Sequence, residues 1–179
     1  MRKLVLVAGL GGALLLALGS FALADEGSRS NADGRLIGYQ EVPSVSSTGS
    51  GEFEGRIVGN SKIEYTLSYR ALEGSVTQAH IHFGQRSVNG GISVFLCTNL
   101  GNGPTGTQVC PPAPATVRGT IVPADVGPGA AGQGIAPGEF AELLAAIRAH
   151  KTYANVHTTK QPGGEIRAQL GKGRKGKDD

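Results

Sequence analysis

KIEYTLSYR, at Lys62–Arg70, alternates polar and apolar residues without a break. Successive side chains of a β-strand point to opposite faces, so this pattern predicts a strand with one buried face and one solvent-facing face. The apolar positions are Ile63, Tyr65, Leu67 and Tyr69. A domain built around a half-buried antiparallel sheet is the first expectation that follows.

Short segments of similar character flank this strand on both sides, separated by turns rich in glycine and serine. The other predicted strands are Leu36–Val45, Glu52–Val58, Val76–Phe83, Ile92–Leu96, Thr116–Val122, Thr152–Thr158 and Glu165–Leu170. Pro43 interrupts the first of them, which favours an edge strand or a bulge. About eight short strands joined by such turns predict an all-β sandwich or barrel, and we favour an antiparallel β-sandwich with Greek-key-like connections.

One segment, Gly138–Lys151, departs from this β pattern. Its apolar residues Phe140, Leu143, Leu144 and Ile147 are spaced as i, i+3, i+4 and i+7. This spacing places them on one side of a helix, so the sequence predicts a single amphipathic helix between the last two pairs of strands.

The N-terminal residues 1–24 have the features of a secretion signal. A basic start precedes the apolar run Leu4–Leu18, and small residues precede a predicted cleavage after Ala24. The apolar run is short for a membrane span, which needs ~20 residues. We expect a flexible linker at residues 25–34, one domain at residues 35–170 and a disordered basic tail at residues 171–179. The mature protein is expected in the periplasm or the medium, with no membrane span after cleavage.

The folded part of the chain is close to neutral, although the whole sequence carries a formal charge of +3. Residues 25–170 contain 11 basic and 12 acidic side chains. Nucleic-acid binding would require a basic face, so the composition argues against a nucleic-acid partner. The expected partner is an unidentified ligand or protein outside the cytoplasm.

Cys97 and Cys110 are the two cysteines of the chain. An even count in an exported protein predicts a disulfide, and closing a loop of this size contributes on the order of 3 kcal/mol in the chain-entropy model. A cysteine metal site is the alternative, but no histidine lies near either cysteine in the sequence.

Three of the four histidines lie in two predicted strands: His80 and His82 in one, and His157 in the other. Alternate residues of a strand share a face, so His80 and His82 point the same way. In the last predicted hairpin, the same parity places Asn155 and His157 beside Glu165 and Arg167. We therefore expect one polar patch on the solvent-facing side of the sandwich, made of the residues His80, His82, His157, Asn155, Glu165 and Arg167.

Two interpretations of this patch remain open. Three neutral imidazoles with an open position are a suitable site for copper or zinc. Alternatively, the histidines hydrogen-bond to Glu165, Asn155 and backbone groups and connect the strands without a metal. In either case we expect Glu165 and Arg167 to form an ion pair on the strand face, and no catalytic residue is predicted.

Five short blocks resemble the signature blocks of the CHRD (chordin-type) domain family. They are EVP at 41–43, AHIHFG at 79–84, NGG at 89–91, YANVHT at 153–158 and GEIR at 164–167. Their order and spacing agree with the family over Arg35–Leu170, and the loop between the two cysteines is similar to that of a bacterial subset. His150 stands where the family is expected to have a glycine that ends the helix.

The resemblance implies an exported or extracellular β domain, like the repeated modules of chordin, which binds secreted growth factors. That partner does not transfer to a small stand-alone protein. The blocks favour a binding or structural module over an enzyme, with a candidate copper or zinc site at His80, His82 and His157. A second resemblance, of Gly74 and the AHIH strand to the copper-ligand strand of Cu/Zn superoxide dismutases, provides the alternative of a copper metalloenzyme.

Overall fold

Eight antiparallel strands form one sheet in the computed structural model, which describes residues 32–171. The strands and the helix are β1 (Gly34–Ile37), β2 (Ser50–Val58), β3 (Lys62–Arg70), β4 (Val76–Phe83), β5 (Gly91–Thr98), β6 (Ala115–Ile121), α1 (Phe140–Arg148), β7 (Thr152–Thr158) and β8 (Ile166–Gln169). Their order in the sheet is β5-β4-β7-β8-β1-β2-β3-β6. The predicted all-β antiparallel fold with one helix is confirmed.

The sheet folds into two four-stranded halves that pack face to face around one core. The halves join between β8 and β1, where Ile37 and Arg167 are the paired residues. The connections β3–β4, β5–β6 and β6–β7 cross from one half to the other, as expected for Greek-key-like topology. At the opposite edge, the Tyr65 hydroxyl of β3 donates a hydrogen bond to the Leu96 carbonyl of β5 at 3.0 Å.

The core takes apolar side chains from both halves of the sheet. In β3, the strict alternation predicted from the sequence is present, because Ile63, Tyr65, Leu67 and Tyr69 are buried and the residues between them are partly exposed. The opposite half contributes buried side chains such as Ile81, Leu96, Val156 and Ile166. Each fully buried side chain of this size contributes about 1.5–3 kcal/mol through removal of apolar surface from water.

Helix α1 covers one end of the core and ends in a tight turn. Phe140, Leu143, Leu144 and Ile147 are buried, as the helical spacing predicted. The helix is shorter than Gly138–Lys151, because the chain already reverses after Ala149 with His150 in a left-handed conformation at φ 56°.

The first strand differs from its prediction. It covers Gly34–Ile37 and continues as a 3-10 turn at Gly38–Gln40, where Leu36–Val45 was predicted. The chain folds back because the Val45 amide donates to the Gly38 carbonyl at 2.9 Å. A side chain at Gly38 would meet the Val45 oxygen, with a Cβ 2.3 Å from it. Pro43 lies outside β1, which pairs without a register shift inside the sheet between β8 and β2, so neither the edge strand nor the bulge that Pro43 suggested is present.

Both ends of the described chain adjoin β1. Ala32 is fully buried, and Asp33 forms an isolated bridge with Gly171, so residues 32–34 of the predicted linker pack against the domain. The predicted signal at residues 1–24, most of the linker and the tail beyond Gly171 lie outside the described residues. Within residues 32–171, no helix is long and apolar enough to cross a membrane.

Candidate metal centre

The side chains of β4, β7 and β8 that point away from the core form a polar face that is buried. All seven residues of β7 are buried, so this strand is covered on both faces. Two segments lie over the polar face, residues 38–49 before β2 and residues 84–90 after β4. We call this surface the covered face. Its burial corrects the expectation that the predicted patch faces solvent.

Arg167 holds the segment 84–90 against the covered face through hydrogen bonds. Its guanidinium donates to the Asn89 side-chain oxygen at 3.1 Å and to the carbonyls of Gln85 and Val88 at 3.2 and 2.8 Å. Its Cζ lies 3.3 Å from the centre of the Tyr153 ring. Arg167 is only 1% exposed, so these contacts replace the water that its charge would otherwise hold.

Glu165 holds the segment 38–49 against the covered face through hydrogen bonds. Its carboxylate accepts hydrogen bonds from the Ser47 hydroxyl at 2.6 Å, the Thr158 hydroxyl at 2.7 Å and the Glu73 backbone amide at 2.7 Å. It makes no salt bridge with Arg167 among the ion pairs of residues 32–171. The predicted Glu165–Arg167 ion pair is therefore wrong. The two residues lie at the start of β8, inside the sheet, and each charge contacts a different covering segment.

The three histidines meet on the covered face, as parity predicted. One ring nitrogen from each of His80, His82 and His157 can be chosen so that the three lie within 4.8 Å of one another. His80 is paired with Asn155 and His82 with Tyr153 across β4 and β7, and His157 lies opposite Gln78. Pairing of the two strands thus brings together side chains 77 residues apart in the chain.

Two backbone carbonyls fix the protonation of two of these rings. His82 Nδ1 lies 2.9 Å from the Gly90 oxygen, and His157 Nδ1 lies 2.9 Å from the Pro162 oxygen. A carbonyl only accepts hydrogen bonds, so each Nδ1 carries the proton and each Nε2 carries a lone pair. Because His80 Nδ1 lies 3.2 Å from the His157 Nε2 lone pair, it donates there, and the His80 Nε2 also keeps a lone pair.

The arrangement leaves buried acceptors without a donor. Five buried acceptors of the covered face make no hydrogen bond within residues 32–171: Nε2 of His80, Nε2 of His82, Oδ1 of Asn155, Oε1 of Glu41 and Oε1 of Gln169. Buried polar atoms are normally satisfied, and each exception calls for a physical explanation. The two neighbouring imidazole lone pairs among them are the arrangement that a cation or a hydrogen-bond donor would complete.

Burial keeps the imidazoles neutral. Desolvation, together with the neighbouring rings of His157 and His82, lowers the pKa of His80 to about 2. Desolvation is also the main cause that lowers the pKa of His82 to about 4 and lowers the pKa of His157. Neutral imidazoles are the form that binds transition metals, so the ligands need not lose a proton at neutral pH.

Aromatic rings pack around the histidines. The Phe95 ring meets His80 edge to face with centroids 4.4 Å apart, and the Tyr153 ring stacks on His82 at 4.7 Å. The Tyr153 hydroxyl also accepts a hydrogen bond from the Gly90 amide at 3.2 Å. Tyr153 was absent from the predicted patch, although it shares strand parity with Asn155 and His157.

Glu41 is a second residue of the covered face that sequence reasoning left out of the patch. It is 5% exposed, and desolvation raises its pKa to about 7 against the lowering effects of Arg167, the Val42 amide and Asn155. Gly164, at φ 126°, lets the carboxylate approach, because a Cβ there would lie 2.4 Å from Glu41 Oε1. The only sequence signal for Glu41 was its membership of the EVP block.

Cys97 and Cys110 form the predicted disulfide, which fits an oxidising compartment. It joins β5 to the loop before β6, and this loop spans the edge of the sandwich opposite the β8–β1 junction. The chain has no free cysteine. Thiolates therefore take no part in the histidine site.

The comparison with protein families matches the CHRD domain over residues 34–170, which includes every strand and the whole covered face. The chain belongs to the CHRD domain family. No curated protein and no solved structure matches it. The five blocks that carried the resemblance now have a common location: AHIHFG and YANVHT form the paired strands β4 and β7, and EVP, NGG and GEIR supply Glu41, the segment before β5 and Arg167.

Proposed function

We propose that this CHRD domain is an exported binding module that holds one transition-metal ion, copper or zinc, at His80, His82 and His157. The observation that carries the proposal is the pair of buried Nε2 lone pairs on His80 and His82, which have no hydrogen-bond donor. They lie beside a third imidazole whose tautomer is fixed by the chain itself.

The distances support binding with a small adjustment. Metal–imidazole bonds of ~2.0–2.1 Å place ligand nitrogens roughly 3.3–3.6 Å apart at tetrahedral or trigonal angles. One nitrogen from each ring lies within 4.8 Å of the others, and the His157 Nε2 lone pair accepts a hydrogen bond from His80 Nδ1 at 3.2 Å. An ion would draw the rings together by about an ångström and would replace the His80–His157 hydrogen bond.

The outer contacts are those that orient metal ligands. A ligating histidine usually donates its second ring N–H to a carbonyl or carboxylate, which fixes the tautomer and makes the ring more basic. The carbonyls of Gly90 and Pro162 serve His82 and His157 in this way. Both carbonyls belong to loops beside the covered face, so a change in those loops would alter the metal site.

Export is part of the proposal. The predicted signal at residues 1–24 and cleavage after Ala24 would deliver the domain to the periplasm or the medium, and the disulfide is consistent with that destination. There the domain would bind a metal ion or present a metal-stabilised surface to a partner. The alternative of a superoxide-dismutase-like enzyme has less support, because His80 is 0% exposed and His82 and His157 are each 7% exposed.

Metal analysis of the protein recovered after export tests the proposal. The wild type should bind one equivalent of copper or zinc, and His80→Ala/His82→Ala should lose binding by about 100-fold or more, because one imidazole cannot hold the ion alone. His150→Gly removes the fourth histidine, which lies outside the cluster, and should bind like the wild type.

A wild type that binds no more copper or zinc than the double variant would overturn the metal site. The hydrogen-bonded network would then be the remaining interpretation, and the double variant should lose stability without any metal present. Copper binding without superoxide dismutation would remove only the enzyme alternative.

A further inference from the structure

The charges on the covered face affect which metal ion the three histidines would bind most tightly. We propose that the site selects monovalent copper, Cu(I), over divalent ions, an inference that rests on the metal site proposed above. It goes beyond that proposal by naming the oxidation state and by predicting rejection of Zn²⁺.

The ligands would bring no negative charge to the ion. Among residues 32–171, the cluster of candidate ligands consists of three histidines, without a carboxylate or a thiolate. The two buried carboxylates of the described chain are not members of that cluster. Glu165 accepts hydrogen bonds from Ser47, Thr158 and the Glu73 amide, and Glu41 interacts with Arg167 and Asn155. An ion bound by imidazoles alone keeps its full charge.

A full charge is costly in this location. The three rings are between 0% and 7% exposed, so a bound ion loses its contact with bulk water. The cost of removing an ion from water rises with the square of its charge, so a divalent ion incurs roughly four times the penalty of a monovalent one. The same face already holds the Arg167 guanidinium, which disfavours a positive charge at His82.

Coordination preferences act in the same direction. Imidazole suits copper and zinc alike, but Zn²⁺ in proteins is almost always four-coordinate and completes a three-histidine site with a water or a substrate. Phe95 and Tyr153 pack directly on His80 and His82 and add only soft, polarisable ring contacts. A three-imidazole site enclosed by aromatic rings suits a soft monovalent ion better than one that needs a water or an anion as a fourth ligand.

Competition with chromophoric chelators measures the preference. The exported protein is titrated anaerobically with Cu(I) and, separately, with Zn²⁺, each against a chelator of known affinity. The Kd for Cu(I) should be lower than the Kd for Zn²⁺ by at least about 1,000-fold, given the difference in desolvation. His80→Ala/His82→Ala provides the background for both ions.

One isosteric variant changes the charge at the site. Asn155 pairs with His80 across β4 and β7, and its buried oxygen lacks a donor, so Asn155→Asp places a carboxylate beside the histidines. The Zn²⁺/Cu(I) preference should shift toward Zn²⁺ by at least about tenfold, because an anionic neighbour offsets the second charge.

The outcomes separate the two proposals. If the wild type binds Zn²⁺ as tightly as Cu(I) or more tightly, the Cu(I) inference fails and the metal site stands. If it binds neither ion above the double variant, both fail. If Asn155→Asp folds, as judged by its circular dichroism, and leaves the preference unchanged, charge is not the basis of selectivity and the inference is overturned.

Discussion

β3 and β7 lie in opposite halves of the same sandwich and use their outer faces differently. In β3, buried and partly exposed residues alternate, and the outer face of β2, β3 and β6 carries charged and hydroxyl side chains in contact with water. We call that surface the open face. In β7, every residue is buried, because the segments 38–49 and 84–90 cover its outer side.

The difference shows that a polar strand face need not be a wet one. On the open face, charges such as those of the Arg56–Glu64 pair remain hydrated and contribute little to stability. On the covered face, each polar atom must find a partner or remain unsatisfied at a cost of about 1–3 kcal/mol. The unsatisfied and titratable groups of the domain therefore lie on the covered face. Their contribution to the free energy of unfolding depends on pH, on binding partners and on any bound ion.

The largest expected difference between the two faces is the response of the metal-free protein to acid. In the unfolded chain, histidines take up protons below their ordinary pKa of 6.5, while the folded pKa values are about 2 for His80, about 4 for His82 and lowered for His157. Stability from these three groups is complete above pH 6.5 and is lost as the pH falls below that value.

Glu41 acts in the opposite sense. Its pKa rises from 4.5 to about 7 on folding, so between those values the folded state holds a proton that the unfolded state has released, and its contribution grows as the pH falls. His80 and His82 together take up two protons on unfolding and Glu41 releases one, which leaves a net uptake of at least one proton, to which His157 adds in the same direction. The free energy of unfolding should fall by at least about 1.4 kcal/mol per pH unit within the range from pH 6.5 to 4.5.

Denaturant titrations of the metal-free protein between pH 4.5 and 8 measure this slope. Glu41→Gln removes the opposing proton and should make the slope steeper, by about 1.4 kcal/mol per pH unit. A stability that stays constant from pH 6.5 to 4.5 would show that the three rings remain accessible to water, contrary to their burial.

Removal of one buried cation should have the next largest effect. Arg167→Ala deletes the contacts to the segment 84–90 and to Tyr153, and leaves their carbonyls without donors. We expect a loss of about 3–5 kcal/mol in the free energy of unfolding, as is typical when one partner of a buried charged network is removed.

Arg118→Ala is the matched control on the open face, where Arg118 is exposed. It should lower the free energy of unfolding by less than about 0.5 kcal/mol. Similar losses for the two variants would remove the distinction between the faces.

A pair of serine variants makes the same comparison with neutral groups. Ser47→Ala removes the 2.6 Å hydrogen bond to Glu165 and should cost about 1–2 kcal/mol, since the acceptor is charged and buried. Ser68 lies on the outer side of β3, and Ser68→Ala should change stability by less than about 0.5 kcal/mol. The urea midpoints of the two variants, measured at pH 7.5 against that of the wild type, provide the comparison. An equal shift for the two would mean that Glu165 does not depend on Ser47.

Periodicity was sufficient to predict the strands, and parity was sufficient to predict which face each histidine occupies, provided that the two histidine strands are neighbours. The strand bounds of β3, β4 and β7 agree with prediction, because each strand has a pattern set by its own residues. The pairing of β4 with β7 then places His80, His82 and His157 together.

The covering of that face could not be predicted in the same way. The segments 38–49 and 84–90 have no period, and their position depends on side chains distant in sequence, such as Arg167 reaching Val88 and Glu165 reaching Ser47. The same lack of local signal explains the error in β1, where the backbone bond between Val45 and Gly38 ends the strand early. Strand parity predicts on which face of the sheet a side chain lies. Whether that face is exposed to solvent depends on tertiary contacts.

The smallest effect is expected at the one histidine outside the covered face. His150 follows the C-cap of α1 in the left-handed region at φ 56°, and the Lys151 amide donates to the Ala146 carbonyl at 2.9 Å, which is the bond of a Schellman turn. Glycine is preferred at this position because it has no Cβ, so His150→Gly should stabilise the domain by about 0.5–1 kcal/mol. Thermal unfolding should show a midpoint about 2–5 °C higher.

Ala149→Gly is the control, one residue earlier at φ −80°. It should lower the unfolding midpoint, because glycine there only adds entropy to the unfolded chain. A lower midpoint for both variants would show that the His150 ring, which lies over Gly171, stabilises the chain end by more than its backbone conformation costs.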